Sequence, residues 1–142
     1  MEKSNNTLTS GKIHGYEIRK PYVEENVYFK KNKDVAGMAT EDNKIILNPY
    51  SSLNEKQLQV VAENEAIRLF LKDKKIEPMF NVTPEQQASF ANTEYGKPEN
   101  LLNLKHTLIS RILTGDTSAG QVTDMQQTWA NFVKEELSKK NE

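Results

Sequence analysis

Residues 35–72 read VAGMATEDNKIILNPYSSLNEKQLQVVAENEAIRLFLK, and the change of period inside this stretch decides the fold. Val35 to Thr40 and Lys44 to Leu47 are short apolar runs separated by Glu41, Asp42 and Asn43. Asp and Asn tolerate the left-handed backbone of a tight connection, so the two runs predict a β-hairpin. Gly37 inside the first run predicts a bulge or a close backbone approach. Asn48-Pro49-Tyr50 ends the second run, because Pro49 has no donor for a ladder. Ser52-Leu53-Asn54-Glu55 then sets a hydroxyl three residues before a glutamate, the capping-box spacing, and predicts a helix over 53–72. Projected at about 100° per residue, Leu58, Ala62, Ala66 and Leu69 share one face, and Val60, Ile67 and Leu71 another. A polar stripe of Asn64, Glu65, Arg68 and Lys72 lies between them. A helix apolar on two sides is buried on two sides, so the stripe is either a thin exposed edge or the wall of a groove.

Further along, Thr83-Pro84-Glu85-Gln86 and Thr123-Asp124-Met125-Gln126 repeat the capping-box spacing and predict helices over 84–91 and 124–139. The two look like copies, but the shared letters are those the box demands. A helix over 98–114 begins at Pro98 and stops at Gly115, with Leu101, Leu104, Leu108 and Ile112 at helical spacing. Thr114 to Val122 (TGDTSAGQV) is a connector: it lacks the Gly-Lys-Ser/Thr ending of a phosphate loop and follows a helix rather than a strand. On the last helix Met125, Trp129, Phe132 and Val133 form a stripe that packs on helix 98–114, unless Trp129 anchors an interface. Residues 1–12 are polar and aperiodic and read as a flexible arm. Residues 13–33 read as one or two short extended segments, with Pro21 breaking any helix there. Their aromatic residues Tyr16, Tyr22, Tyr28 and Phe29 either pack on the body or form an exposed contact strip. The expectation is a single α+β domain over 13–142: an N-terminal β-hairpin, with room for an extra strand, packed against four helices.

Composition narrows the chemistry. The 142 residues are 36% hydrophobic and 27% charged, globular but polar. Nineteen basic and 20 acidic side chains give a net charge of −1, which argues against nucleic-acid and polybasic membrane binding. Seven of the basic and four of the acidic residues fall in 1–33, so a mildly basic arm precedes an acidic body. No apolar run approaches the roughly 18 residues of a membrane span. There is no cysteine, which removes disulfides, thiol catalysis and thiolate metal sites. His14 and His106 lie far apart and are read as solvated. No catalytic residue, metal or cofactor is assigned.

Two resemblances add expectations. A hairpin followed by a helix carrying Asn64-Glu65-Ala66-Ile67-Arg68 resembles the strand-to-helix portion of small zinc metallopeptidases, whose helix carries His-Glu-x-x-His. Glu65 matches the general-base glutamate, whereas Asn64 and Arg68 stand where both zinc-binding histidines belong. Arginine keeps its proton and an amide is a poor zinc ligand. The phrases VAGMATEDNKIILNPYSSL, NEAIRLF, Val82 to Gln86 and RILTGDTSAG are similar to short uncharacterised tailed-bacteriophage proteins, over about residues 35–120. That resemblance implies a phage protein and assigns no activity. With no catalytic cluster, a near-neutral charge and an aromatic N-terminal segment, the expectation is a non-enzymatic protein acting through protein–protein contacts in the virion or the host cytoplasm, foremost as a virion structural or accessory component. The alternatives are a binder or inhibitor of a host protein, and a degenerate metallopeptidase-like hydrolase using Glu65. Self-assembly stays open, and Tyr16, Tyr22, Tyr28, Phe29 and Trp129 are the candidate partner contacts.

Overall fold

The computed structural model describes residues 10–140 and has an α+β fold, with two separate two-stranded antiparallel sheets and five α-helices. The chain groups into two compact units that divide inside a helix, between Leu69 and Phe70.

The first unit opens with strands β1 (Lys12–Ile13) and β2 (Tyr16–Glu17), joined by His14 and Gly15 at φ 52° and 85°. The Ile18 N–H donates to Gly11 O at 2.8 Å, so Gly11 and Lys12 belong to this hairpin rather than to an arm. The rest of the expected arm, residues 1–9, lies outside the described residues. Helix α1 (Val23–Lys31) follows, where extended chain is expected from the sequence. Pro21 precedes the Tyr22 N-cap and so never interrupts the helix. Glu25 at the third helical position accepts from Tyr22 N at 2.6 Å. Glu24 and Glu25 in the first turn and Lys30 and Lys31 in the last suit the helix dipole.

The hairpin of β3 (Gly37–Ala39) and β4 (Ile45–Leu47) forms where it is expected, with Met38 opposite Ile46. A Cβ on Gly37 would lie 2.9 Å from Leu47 Cδ2 and 3.0 Å from Ile46 O, the close approach anticipated there. Asn43 at φ 61° makes the turn. Helix α2 (Glu55–Asp73) is capped two residues later than the expectation. Asn54 and Gln57 exchange N–H···O bonds at 2.9 Å, while Ser51 Oγ accepts from Leu53 N. The first unit's core holds Tyr16, Ile18, Phe29, Ile45, Ile46, Leu47, Leu58, Ala62, Ala66, Ile67 and Leu69. Asn48, fully buried, ties it to α1: its amide donates to Val35 O at 2.8 Å and to Phe29 O and Asn32 O at 3.3 Å, and its Oδ1 accepts from Tyr50 N.

The second unit contains α3 (Pro84–Ser89), α4 (Leu101–Leu113) and α5 (Asp124–Lys140), with α4 against α5. Leu104, Leu108, Ile109, Ala130, Val133 and Leu137 are buried, whereas Leu101, Met125 and Phe132 of the expected stripes are exposed. The buried face of α5 is thus turned by about one residue from the expected one, toward Gln126. His106, expected in solvent, is 5% exposed with Nε2 2.7 Å from Ile76 O. The chain from Ile76 to Asn81 runs beside α4, and residues 76–81 alternate outward and inward.

The two later capping boxes are built as the spacing predicts, and they meet. Gln86 and Gln126 are 1% and 0% exposed. Each Nε2 donates to the other's Oε1, at 2.8 and 2.7 Å. Each Oε1 also accepts from its own N-cap, Thr83 N or Thr123 N. The remaining donors reach Gln121 O and Asn81 O, each two residues before the other helix's N-cap.

Candidate functional site

Helix α1 has its apolar residues on the wrong side for a core helix. Only Phe29 is buried. Val23 and Val27, four residues apart and so on one face, are 78% and 51% exposed. Tyr22 and Tyr28 beside them are 58% and 43% exposed. Of the aromatic contacts expected from the sequence, Tyr22 and Tyr28 therefore face solvent. Tyr16 and Phe29 are core residues and cannot serve as an exposed strip. In the sequence Val23 and Val27 read only as apolar anchors of an extended segment, because the helix that sets them on one exposed face is not apparent there.

Next to this face, Arg19 organises a small cleft of about 390 Å³ lined by Tyr22, Glu25, Met38, Thr40 and Asp42. Arg19 forks onto Glu25 at 2.8 and 2.9 Å, and its guanidinium carbon lies 3.9 Å from the centre of the Tyr22 ring. The hydrogen bond from Arg19 holds the Glu25 carboxyl below its usual range. A hydroxyl bond from Thr40 does the same for Asp42. This arrangement fixes the Tyr22 ring in place at the N-terminal end of the α1 face.

The polar stripe of α2 is withdrawn from solvent at Asn64, Glu65 and Arg68, and only Lys72 at its end is exposed. Glu65 is 8% exposed, and both its oxygens accept from Arg68 Nη1, at 3.0 and 3.2 Å. Burial pushes the Glu65 carboxyl above its usual range, and Arg68 pulls against that only in part. Asn64 is half-buried. His14 Nε2 lies 3.4 Å from Glu63 Oε2 on the same helix. Among the described residues no three His, Asp or Glu side chains gather in a way that could hold a metal.

In the second unit an open groove of about 860 Å³ is lined by Met79, Phe80, Leu101, Leu102, Lys105 and Met125. Met79 is 80% exposed. Trp129 is half-buried, its ring 5.7 Å from that of exposed Phe132 in an edge-to-face pair. Among the described residues no helix is long and apolar enough to cross a membrane. No protein-family model, curated protein or solved structure matches the chain.

Proposed function

We propose that the chain is a non-enzymatic bacteriophage protein that works through protein–protein contacts, as a structural or accessory component of the virion. The observation that carries the contact reading is the α1 face, where Tyr22, Val23, Val27 and Tyr28 stand together in solvent. Valines this exposed contribute little burial to the fold, and clustered exposed apolar side chains mark interaction sites. The phage assignment rests on the phrase similarity over residues 35–120. Mass spectrometry of particles purified from the encoding phage should find the chain at a fixed copy number. A Val23→Lys/Val27→Lys chain, folded but no longer incorporated, would tie that placement to α1. Absence of the chain from particles would sink the virion assignment.

A second reading, a hydrolase with Glu65 as base, draws on the burial of Glu65 and the rise in its pKa, since acid–base groups are tuned in this way. Against it stands Arg68, which occupies both carboxylate oxygens and the second zinc-ligand position. Near-stoichiometric zinc in the purified protein, with a peptidase activity lost in Glu65→Gln, would favour this reading over the first.

A further inference from the structure

The α1 face carries its charges at opposite ends. Glu24 is exposed in the first turn and Lys30 and Lys31 are exposed in the last, and none of the three pairs with a described residue. Val27 and Tyr28 lie midway between them. A stripe that is acidic at one end, apolar in the middle and basic at the other is complementary to itself turned end for end. That is the requirement for an isologous two-fold contact, in which residue i meets j and j meets i.

We infer that α1 is a self-association face: α1 of a second copy packs on it antiparallel, Val27 against Tyr28 and Glu24 against Lys31 of that copy, each contact made twice. This rests on the reading of α1 as a contact face and names its occupant. The register follows from the sequence: with Glu24 opposite Lys31, the two-fold axis falls between Val27 and Tyr28, and Val23 lies along the Lys31 stem. A hetero-partner would need only the apolar patch; the end-to-end charge complementarity is what selects a second copy. A fully buried aromatic side chain contributes about 150–250 Å². Two half-exposed tyrosines and two valines per copy therefore give an interface at the small end, below about 1,200 Å² in total, where associations are weak and transient.

The test is sedimentation equilibrium on the full-length chain, up to about 1 mM, on four proteins: the parent, Glu24→Lys, Lys31→Glu and the double variant. Both substituted sites are on the exposed helix surface, so the fold should be kept by circular dichroism, with the thermal midpoint lowered by no more than a few degrees as charges that suit the helix dipole are reversed. The parent should dimerise with concentration. Each single variant places like charges opposite one another twice and should weaken the dimer by about 5- to 30-fold. The double variant restores both pairs and should return to within about threefold of the parent. A parent that stays monomeric throughout overturns the inference, as does a double variant no stronger than the singles. The contact reading fails separately: if the parent is monomeric but Val23→Lys/Val27→Lys abolishes incorporation into particles, α1 is a contact face for another protein. If the parent dimerises as described but is absent from particles, self-association stands and the virion assignment falls.

Discussion

Removing one glutamine from the buried Gln86–Gln126 pair should cost far more than the same change made beside it. Each side chain makes two bonds to its partner, one to its N-cap N–H and one to a loop carbonyl. Gln126→Ala thus removes four hydrogen bonds, which at about 0.5–1.5 kcal/mol each come to roughly 2–6 kcal/mol. Asn81 is exposed and Thr123 half-exposed, so water can reach the carbonyl and the N–H they lose. The Gln86 amide cannot be rehydrated so easily, since it is 1% exposed. The expected loss is therefore about 2–4 kcal/mol.

The decisive quantity is the coupling. Gln86→Leu and Gln126→Leu each strand the partner amide, whereas the double variant strands neither. The double should cost less than the sum of the singles by about 1–3 kcal/mol. Urea unfolding read by tryptophan fluorescence is the suitable assay, because Trp129 is the only tryptophan and lies on α5 of the same unit. With a slope of about 1–3 kcal/mol per molar, each single should lower the midpoint by roughly 1–2 M. Single losses below about 1 kcal/mol, or additivity within about 0.3 kcal/mol, would refute the reasoning.

Asn48→Ala should cost about 2–4 kcal/mol, since it strands Val35 O and the carbonyls at the end of α1, a loss visible in thermal unfolding. Leu108→Ala should cost about 2–5 kcal/mol, because the side chain is 3% exposed on α4. A loss under about 1 kcal/mol would mean that the site collapses freely. Glu65 has its pKa raised by burial, so above about pH 4.3 the folded chain holds more protons there than the unfolded one. Parent stability relative to Glu65→Gln should therefore fall as pH rises through that window. A difference that is flat with pH, or that grows, would contradict the burial of that carboxyl.

What could be read from the sequence was whatever one local rule decides. The β3–β4 hairpin needed only its turn residues, and α3, α4 and α5 needed only caps and a period, so each formed within a few residues of the expected bounds. Features set by neighbours distant in sequence were not legible. His106 is buried because the Ile76–Asn81 segment runs beside α4, which no property of α4 itself announces. Asn48 reads as a strand terminator, and its role in bonding three carbonyls depends on where α1 ends. Helix α1 was hidden by the feature that gives it interest, apolar residues facing outward. Among the candidate contacts, the exposure of Tyr22 and Tyr28 agrees with a place on the surface, whereas Val23 and Val27 read as core anchors because valine normally signals core.

The Gln86–Gln126 pair marks the border between these two kinds of information. A capping box accepts Glu or Gln at its third helical position, since either oxygen can take the N-cap N–H. The spacing alone therefore explains the shared letters at Thr83 and Thr123 but not the choice of amide. The structure supplies the reason. Each side chain must accept and donate at once, and a carboxylate has nothing to donate. Gln86→Glu keeps the shape, the cap and the acceptor, yet it removes the bonds to Gln126 Oε1 and Gln121 O and sets a charge where exposure is 1%. It should therefore cost at least as much as Gln86→Ala near pH 7, although it is the smaller change. The new carboxyl would have a raised pKa from burial, so the folded state would retain its proton over a window above about pH 4.3. Protonation returns one donor, and the variant should recover stability as pH falls through that window, while Gln86→Ala does not. Equal pH profiles for the two variants would show that the amide donors carry no weight and that the capping box alone selected glutamine.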